Sequence, residues 1–273
     1  MNKKAKAIVG TFCKTSLITL CAITSATATA ADSVNEIVNQ CYYKYAGDDQ
    51  RSQMQITLKA AGGKPQVSDY TRLWKHYGGK DGVVDKVLLF TDSPQKDKGL
   101  AFMRWGHTGA SGKSTEQWIY LPDLRKVRRI TPRDPETKEW IIKDEDLRLR
   151  EPHEDKHTLI GENSSDGKLF FLVEFKPTDD PVYSKRIFWF NKNQNTEDCS
   201  LHKVDFYDKK GEKAKQQFIE WRNEGRTWIW DKVVIEDANS DAFIHYDMKQ
   251  VEINVGLDDT LFTQRSMQKG YKQ

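Results

Sequence analysis

Residues 152–157 read Pro-His-Glu-Asp-Lys-His, which sets His153, Glu154 and His157 in the order H-E-x-x-H. On an α-helix this spacing turns two imidazoles toward one zinc ion and leaves the glutamate to activate metal-bound water, the chemistry of a metallopeptidase. The surroundings argue against it. Asp155, Lys156 and the upstream run KDEDLRLREP (143–152) put charge around the motif, whereas a catalytic zinc helix is buried at the base of a cleft. Pro152 can start a helix, but the run from there to Gly161 is shorter than an isolated stable helix. No histidine follows at the spacing of the extended zinc motif, and nothing selects Glu162 or Glu174 as a third ligand. The segment therefore reads as a solvated connector, with no metal or other cofactor expected. Asp48 and Asp49 are a second candidate for hydrolysis, as an acid pair, but adjacent carboxylates at a helix end serve more often as a cap or turn. No Gly-x-Ser-x-Gly elbow and no phosphate-binding glycine loop occurs.

The first thirty residues have a different character from the rest. Lys3, Lys4, Lys6 and Lys14 precede the short apolar run SLITLCAITSA, and Ala28 and Ala30 offer small residues for signal peptidase. The apolar run is too short for a permanent membrane anchor. Residues 1–30 are thus expected to be a cleaved export signal, and 31–273 one soluble domain in the periplasm. Those four lysines also carry the apparent basicity. Without them, 39 of the 43 Lys and Arg remain against 40 acids, so the composition gives no electrostatic case for nucleic acid. Cys41 and Cys199 are the cysteines left, and an oxidising compartment lets them pair or remain as two separate thiols.

The elements that would position any site are mostly strands. Residues 32–45 predict a helix, with Val34, Ile37, Val38 and Cys41 at helical spacing and Gly47 beyond its end. From Arg51 the period changes to two. Short apolar or alternating runs then alternate with breakers such as AAGGKP, YGGKDG and HTGASGKS. Connections this short join antiparallel neighbours, because a parallel crossover needs a dozen residues or more. Two meanders of about six strands each result, separated by an irregular, charged connector at about 132–167 that would act as a lid. No periodic helix long enough for a βαβ unit is present.

Aromatic residues gather on those strands. Eight Trp, ten Tyr and twelve Phe exceed what one face of a sheet needs, and runs such as IFWF and LFFL are apolar on both faces. The excess favours a curved sheet holding an apolar ligand, lined by Met103, Trp105, Trp118, Tyr120, Phe171, Phe188, Phe190, Trp228 and Trp230. Arg128 and Arg129 alternate across a strand, so one of them can meet a phosphate or pair with lid acids such as Asp144 or Glu145.

The blocks CYYKYAGDDQRSQMQITL, QWIYLPDLRKVRRI (117–130), VYSKRIFWF and LFTQRSM occur in an order that resembles the LolA-like outer-membrane lipoprotein-sorting family across nearly all of the chain beyond residue 30. The Trp-Ile-Tyr-Leu-Pro…Arg-Arg-Ile block is the most specific of them. The resemblance implies an incomplete antiparallel β-barrel of about 11–12 strands, with an N-terminal helix and a short helical lid over an apolar cavity. It also implies a periplasmic carrier of lipid or acylated lipoprotein, in transient contact with membranes. An inner-membrane exporter of the resistance-nodulation-division type and an outer-membrane acceptor would be its partners, and a lipid-sensing regulatory domain is the alternative. Relatives carry a Gly-Ser-Asp-Phe-Thr-Tyr-Glu-Asp-like segment after the Arg-Arg-Ile block. Here EWIIKDEDLRLRE (139–151) stands in its place and keeps only the acidic end, Asp144 to Leu147.

Overall fold

The computed structural model describes residues 30–131, 141–147, 150–192 and 199–271. The expected export signal, apart from Ala30, lies outside them. Among the described residues, helix α1 (Ala30–Cys41) leads into thirteen strands. The first six are β1 (Asp49–Lys59), β2 (Gln66–His76), β3 (Val83–Ser93), β4 (Ala101–His107), β5 (Glu116–Leu121) and β6 (Lys126–Ile130). After a single helical turn, α2 (Asp144–Leu147), come β7 (Asp155–Ser165), β8 (Lys168–Pro177), β9 (Tyr183–Asn191), β10 (Leu201–Asp208), β11 (Lys213–Glu224), β12 (Thr227–Asp237) and β13 (Phe243–Ile253). Helix α3 (Gln264–Lys269) is the last element among the described residues.

All thirteen strands lie in one antiparallel sheet, ordered β6-β5-β4-β3-β2-β1-β13-β12-β11-β10-β9-β8-β7. The two meanders join where β1 pairs with β13, so the sheet's edges are β6 and β7. The sheet is open and does not close into a barrel, and a half-barrel follows from the contacts of the strap, residues 141–147 and 150–154. Arg104 of β4 donates to the Leu147 carbonyl at 3.0 Å, and Tyr183 of β9 donates to Asp146 at 2.9 Å. In a flat sheet β4 and β9 would stand eight strand spacings apart, about 38 Å at about 4.8 Å each. Two side chains and one residue step of about 3.8 Å cannot bridge that gap. The sheet therefore curls until β4 and β9 confront each other, with the strap across the concave side.

Register assigns every side chain to one face, because successive residues of a strand alternate. On the concave face Phe188 lies opposite Val173 and Val204, Val233 opposite Ile219 and Tyr246, and Ile235 opposite Ile244. These residues form one apolar cluster with Val34, Val38 and Cys41 of α1. On the convex face Leu73, Leu88, Met103 and Trp118 lie side by side across β2 to β5. They are covered by the C-terminal segment through Leu257, Phe262 and Met267. Thr263 caps α3 by accepting from the Ser266 amide.

Two sequence expectations change here. The predicted helix over 32–45 stops at Cys41, because the chain that follows is laid along the sheet, where Trp228 donates its amide to the Tyr45 carbonyl at 2.8 Å. Gly47 serves that crossing, since at φ 91° a Cβ would meet Ile253 at 2.5 Å. The connector expected at 132–167 contains strand β7, and with it a thirteenth strand beyond the 11–12 expected. As an edge strand β7 buries little, and its sequence, DKHTLIGENSS, has the polar exterior by which edges resist pairing with other chains.

Candidate functional site

The concave face is paved with rings. Phe175 and Phe188 lie 4.0 Å apart between centroids, Phe190 follows at 5.9 Å from Phe188, and Tyr42 stacks on Phe175 at 5.8 Å. The alternation 186, 188, 190 in SKRIFWF turns Arg186 and both phenylalanines to this floor, while Trp189 points to the other side and bonds Asp205. Burial pushes the Tyr42 phenol up to about 12, so it stays neutral and donates to the Arg150 carbonyl.

Two covers close this floor, and they are fastened differently. Helix α1 is held covalently: Cys41 at its end forms a disulfide with Cys199 ahead of β10, with Cα atoms 5.0 Å apart. The strap contributes Ile141 and Ile142 to the apolar floor, but polar contacts fix it. Lys215 bonds the Ile141 carbonyl and pairs with Asp146, and Arg104 holds the Leu147 carbonyl. Arg150 joins Glu145 at 3.0 Å and Asp155 at 2.6 Å. Several buried charges near the strap are paired. Arg104 pairs with Asp85, to which Trp74 also donates, and Arg186 pairs with Asp180. Burial lowers the Lys215 ammonium below the usual lysine value, and the Asp146 carboxylate opposes that.

The expected cavity lining divides between the two faces. Phe188, Phe190 and Phe171 belong to the concave floor, with Phe171 opposite Phe190 at the β8–β9 pairing. Met103, Trp105, Trp118 and Tyr120 share the convex face with the C-terminal cover, where Trp105 and Trp118 meet edge-on at 5.2 Å. They cannot line one cavity with the phenylalanines, because the sheet itself lies between them. Trp228 and Trp230 flank Trp221 at the β11–β12 end, and Trp230 is 50% exposed. Arg128 and Arg129 take opposite faces of β6. Arg129 pairs with Glu116 at 3.2 Å, and Glu145 accepts from Arg150. The side chain of Asp144 lies outside the described residues.

The motif that opened the sequence does not form a helix. Residues Pro152–Glu154 make a single 3₁₀ turn, and His157 already belongs to β7. His153 is exposed beside Glu151, and Glu154 accepts from the Glu151 amide in a capping box. The His157 ring packs on Phe175 at 4.3 Å. Among the described residues no cluster of three or more His, Cys, Asp or Glu is arranged to hold a metal. Asp49, half of the other candidate pair, spends both oxygens on the amides of Val255, Gly256 and Leu257, so it pins the turn that launches the C-terminal cover.

Burial holds His157 below its ordinary value of 6.5, and burial together with Lys168 and Lys203 does the same for His202. A depressed folded-state value means that the unfolded chain takes up the proton first. Stability from these groups is therefore complete above about pH 6.5 and declines as pH falls through the lowered folded values. Thermal melts between pH 7.5 and 5 check this. The midpoint of His157→Gln should fall less steeply with pH than that of the wild type, and parallel curves would contradict the assignment.

Sequence reasoning missed the buried charges that hold the strap or lie beside it. Arg186 carried the one available signal, since its position shares the parity of Phe188 and Phe190. The partners Asp180 and Asp146 come from loop and strap, which period-two patterning does not address.

A family model described as "Uncharacterized protein" matches residues 84–269. No curated protein matches the sequence. Among solved structures, the chain is similar to a DUF1329 family protein from Desulfovibrio piger, at 22% identity over 87% of this chain and 99% of that one, with a TM-score of 0.75. It is similar also to a putative outer membrane lipoprotein-sorting protein domain from Vibrio parahaemolyticus, at 23% identity over 87% and 99%, with a TM-score of 0.73. A LolA superfamily protein from Nitrosomonas europaea aligns at 18% identity over 88% and 100%, with a TM-score of 0.61. At these identities the likeness is one of fold. The chain belongs to the uncharacterized family whose model spans residues 84–269, and its fold is that of the LolA-like outer-membrane lipoprotein-sorting proteins.

Proposed function

We propose that the protein is a periplasmic carrier, without catalysis of its own, that shelters the acyl chain of a lipid or lipoprotein on the concave face between two membranes. One observation carries this reading: an aromatic floor is roofed by a strap that polar contacts, rather than a covalent link, hold in place. An acyl chain of about fourteen methylenes costs roughly 11 kcal/mol to leave in water at ~0.8 kcal/mol per CH₂, so passage through an aqueous compartment calls for such a shelter. Uptake and release both need the cover to lift. Ile141 and Ile142 mark where the ligand's chain would replace the strap. Among the described residues no helix is long and apolar enough to cross a membrane. An inner-membrane exporter and an outer-membrane acceptor fit this role as partners.

Native mass spectrometry of the protein isolated from a periplasm tests the proposal. A copurified lipid or acylated peptide, released on activation in the gas phase, is the expected result. Protein that is free of ligand and takes up no amphiphile in solution would overturn it.

A further inference from the structure

The polar groups under the strap form a row with a specific geometry. Phe206 of β10 pairs with Arg186 of β9 on one side and with Lys215 of β11 on the other. Both cations lean over the same two rings: Lys215 Nζ lies 4.9 Å from Phe206 and 5.5 Å from Tyr183, and Arg186 Cζ lies 5.7 Å and 4.8 Å from them. Both side chains are nearly inaccessible, at 5% and 6% exposure. Their neutralisation is uneven. Arg186 Nη2 donates to Asp180 at 2.6 Å, but Arg186 Nη1 is buried and has no hydrogen-bond partner among the described residues. Lys215 and the Tyr183 hydroxyl share one carboxylate from outside the sheet, Asp146 of the strap, and Lys215 also donates to the strap's Ile141 carbonyl.

We propose that Lys215, Tyr183 and Arg186 form a seat for the phosphate of an anionic amphiphile, and that Asp146 fills this seat when the strap is closed. The inference rests on the carrier reading and adds the headgroup to it. Lifting the strap removes Asp146 and leaves Lys215 and Arg186 against Asp180 alone, an excess of one positive charge beside the aromatic floor. An anion that enters there restores the pairing. An ammonium, a phenol and a guanidinium N–H converging from three strand positions suit a tetrahedral oxyanion, which accepts from several directions at once. Asp146 gives up the Lys215 and Tyr183 contacts on departure but keeps the bond it accepts from the Lys143 amide within the strap. Closed strap and bound phosphate thus compete for one set of donors, so ligand entry and strap release are the same exchange.

Isothermal titration with dodecyl phosphate, the neutral 1-dodecylglycerol and inorganic phosphate tests the seat. The wild type should bind dodecyl phosphate about tenfold or more tighter than dodecylglycerol, as a charge-assisted contact predicts. Asp146→Asn keeps the strap's shape but removes the competing charge, and should widen that preference by about fivefold. Lys215→Gln and Tyr183→Phe should each narrow it to about threefold or less. Equal binding of the two amphiphiles, with Asp146→Asn changing both alike, would overturn the seat and leave the carrier reading standing. Failure of both amphiphiles to bind would overturn the two together. Inorganic phosphate binding as tightly as dodecyl phosphate would show a site for the free ion and overturn the headgroup assignment.

Discussion

Reducing the Cys41–Cys199 disulfide should lower the midpoint of thermal unfolding by about 10–20 °C. The two cysteines are 158 residues apart in sequence, so the cross-link removes a large share of the unfolded chain's freedom. In the chain-entropy description a loop of this length is worth about 5 kcal/mol. For a chain of this size each kcal/mol moves the midpoint by about 2–4 °C. The bond has a second effect, on the site. It fixes the end of α1 over the Phe175–Phe188–Phe190 floor, and both sulfurs are buried against that floor. The reduced protein, or Cys199→Ser, should therefore also bind the apolar dye ANS below its melting range, because the floor's fixed cover has become a second movable one. A shift of under about 3 °C, well short of the loop-entropy value, would show that the packing of α1 alone supplies the stability.

How much of this was legible in the sequence depends on which physical signal each element left. The two meanders and the N-terminal helix were legible, because period two and period 3.6 leave different apolar spacings. Strand β7 was not. An edge strand pairs on one side only, and DKHTLIGENSS exposes Lys156, Thr158, Ile160 and Glu162 along its length, so it reads as a polar connector. The division of the aromatic set was also hidden. Trp118 and Phe188 both sit in strands with apolar residues on either face, and alternation fixes only that neighbours point apart, not which face is concave. What decides the face is the cover, α1 for one cluster and the C-terminal segment for the other, and these arrive from opposite ends of the chain. The buried pairs Arg104–Asp85, Arg186–Asp180 and Lys215–Asp146 depend on the same tertiary assembly. In sequence they are ordinary charges in a composition that is 30% charged.

That division of the aromatics yields the sharpest test of where the ligand lies. Phe188→Ala and Trp118→Ala should both destabilise the protein by about 3–5 kcal/mol, since each removes a large ring from a closely packed cluster. Phe188 is 6% exposed and Trp118 is 8% exposed, so their stability costs are comparable. Their effects on binding should differ. Phe188 belongs to the floor that an acyl chain would lie on, and losing about 1.5–3 kcal/mol of apolar contact weakens dodecylglycerol binding by about tenfold or more. Trp118 lies beneath Phe262 and Met267 on the far side of the sheet, and its loss should leave binding within about twofold of wild type, measured well below the melting point of either variant. If Trp118→Ala weakened binding as much as Phe188→Ala, the ligand would have to reach the convex face, and the C-terminal segment rather than the strap would be the cover that lifts. The opposite ordering of the two effects would place the site on the convex face outright. Because both variants lose similar stability, a general loosening of the fold cannot mimic the expected contrast.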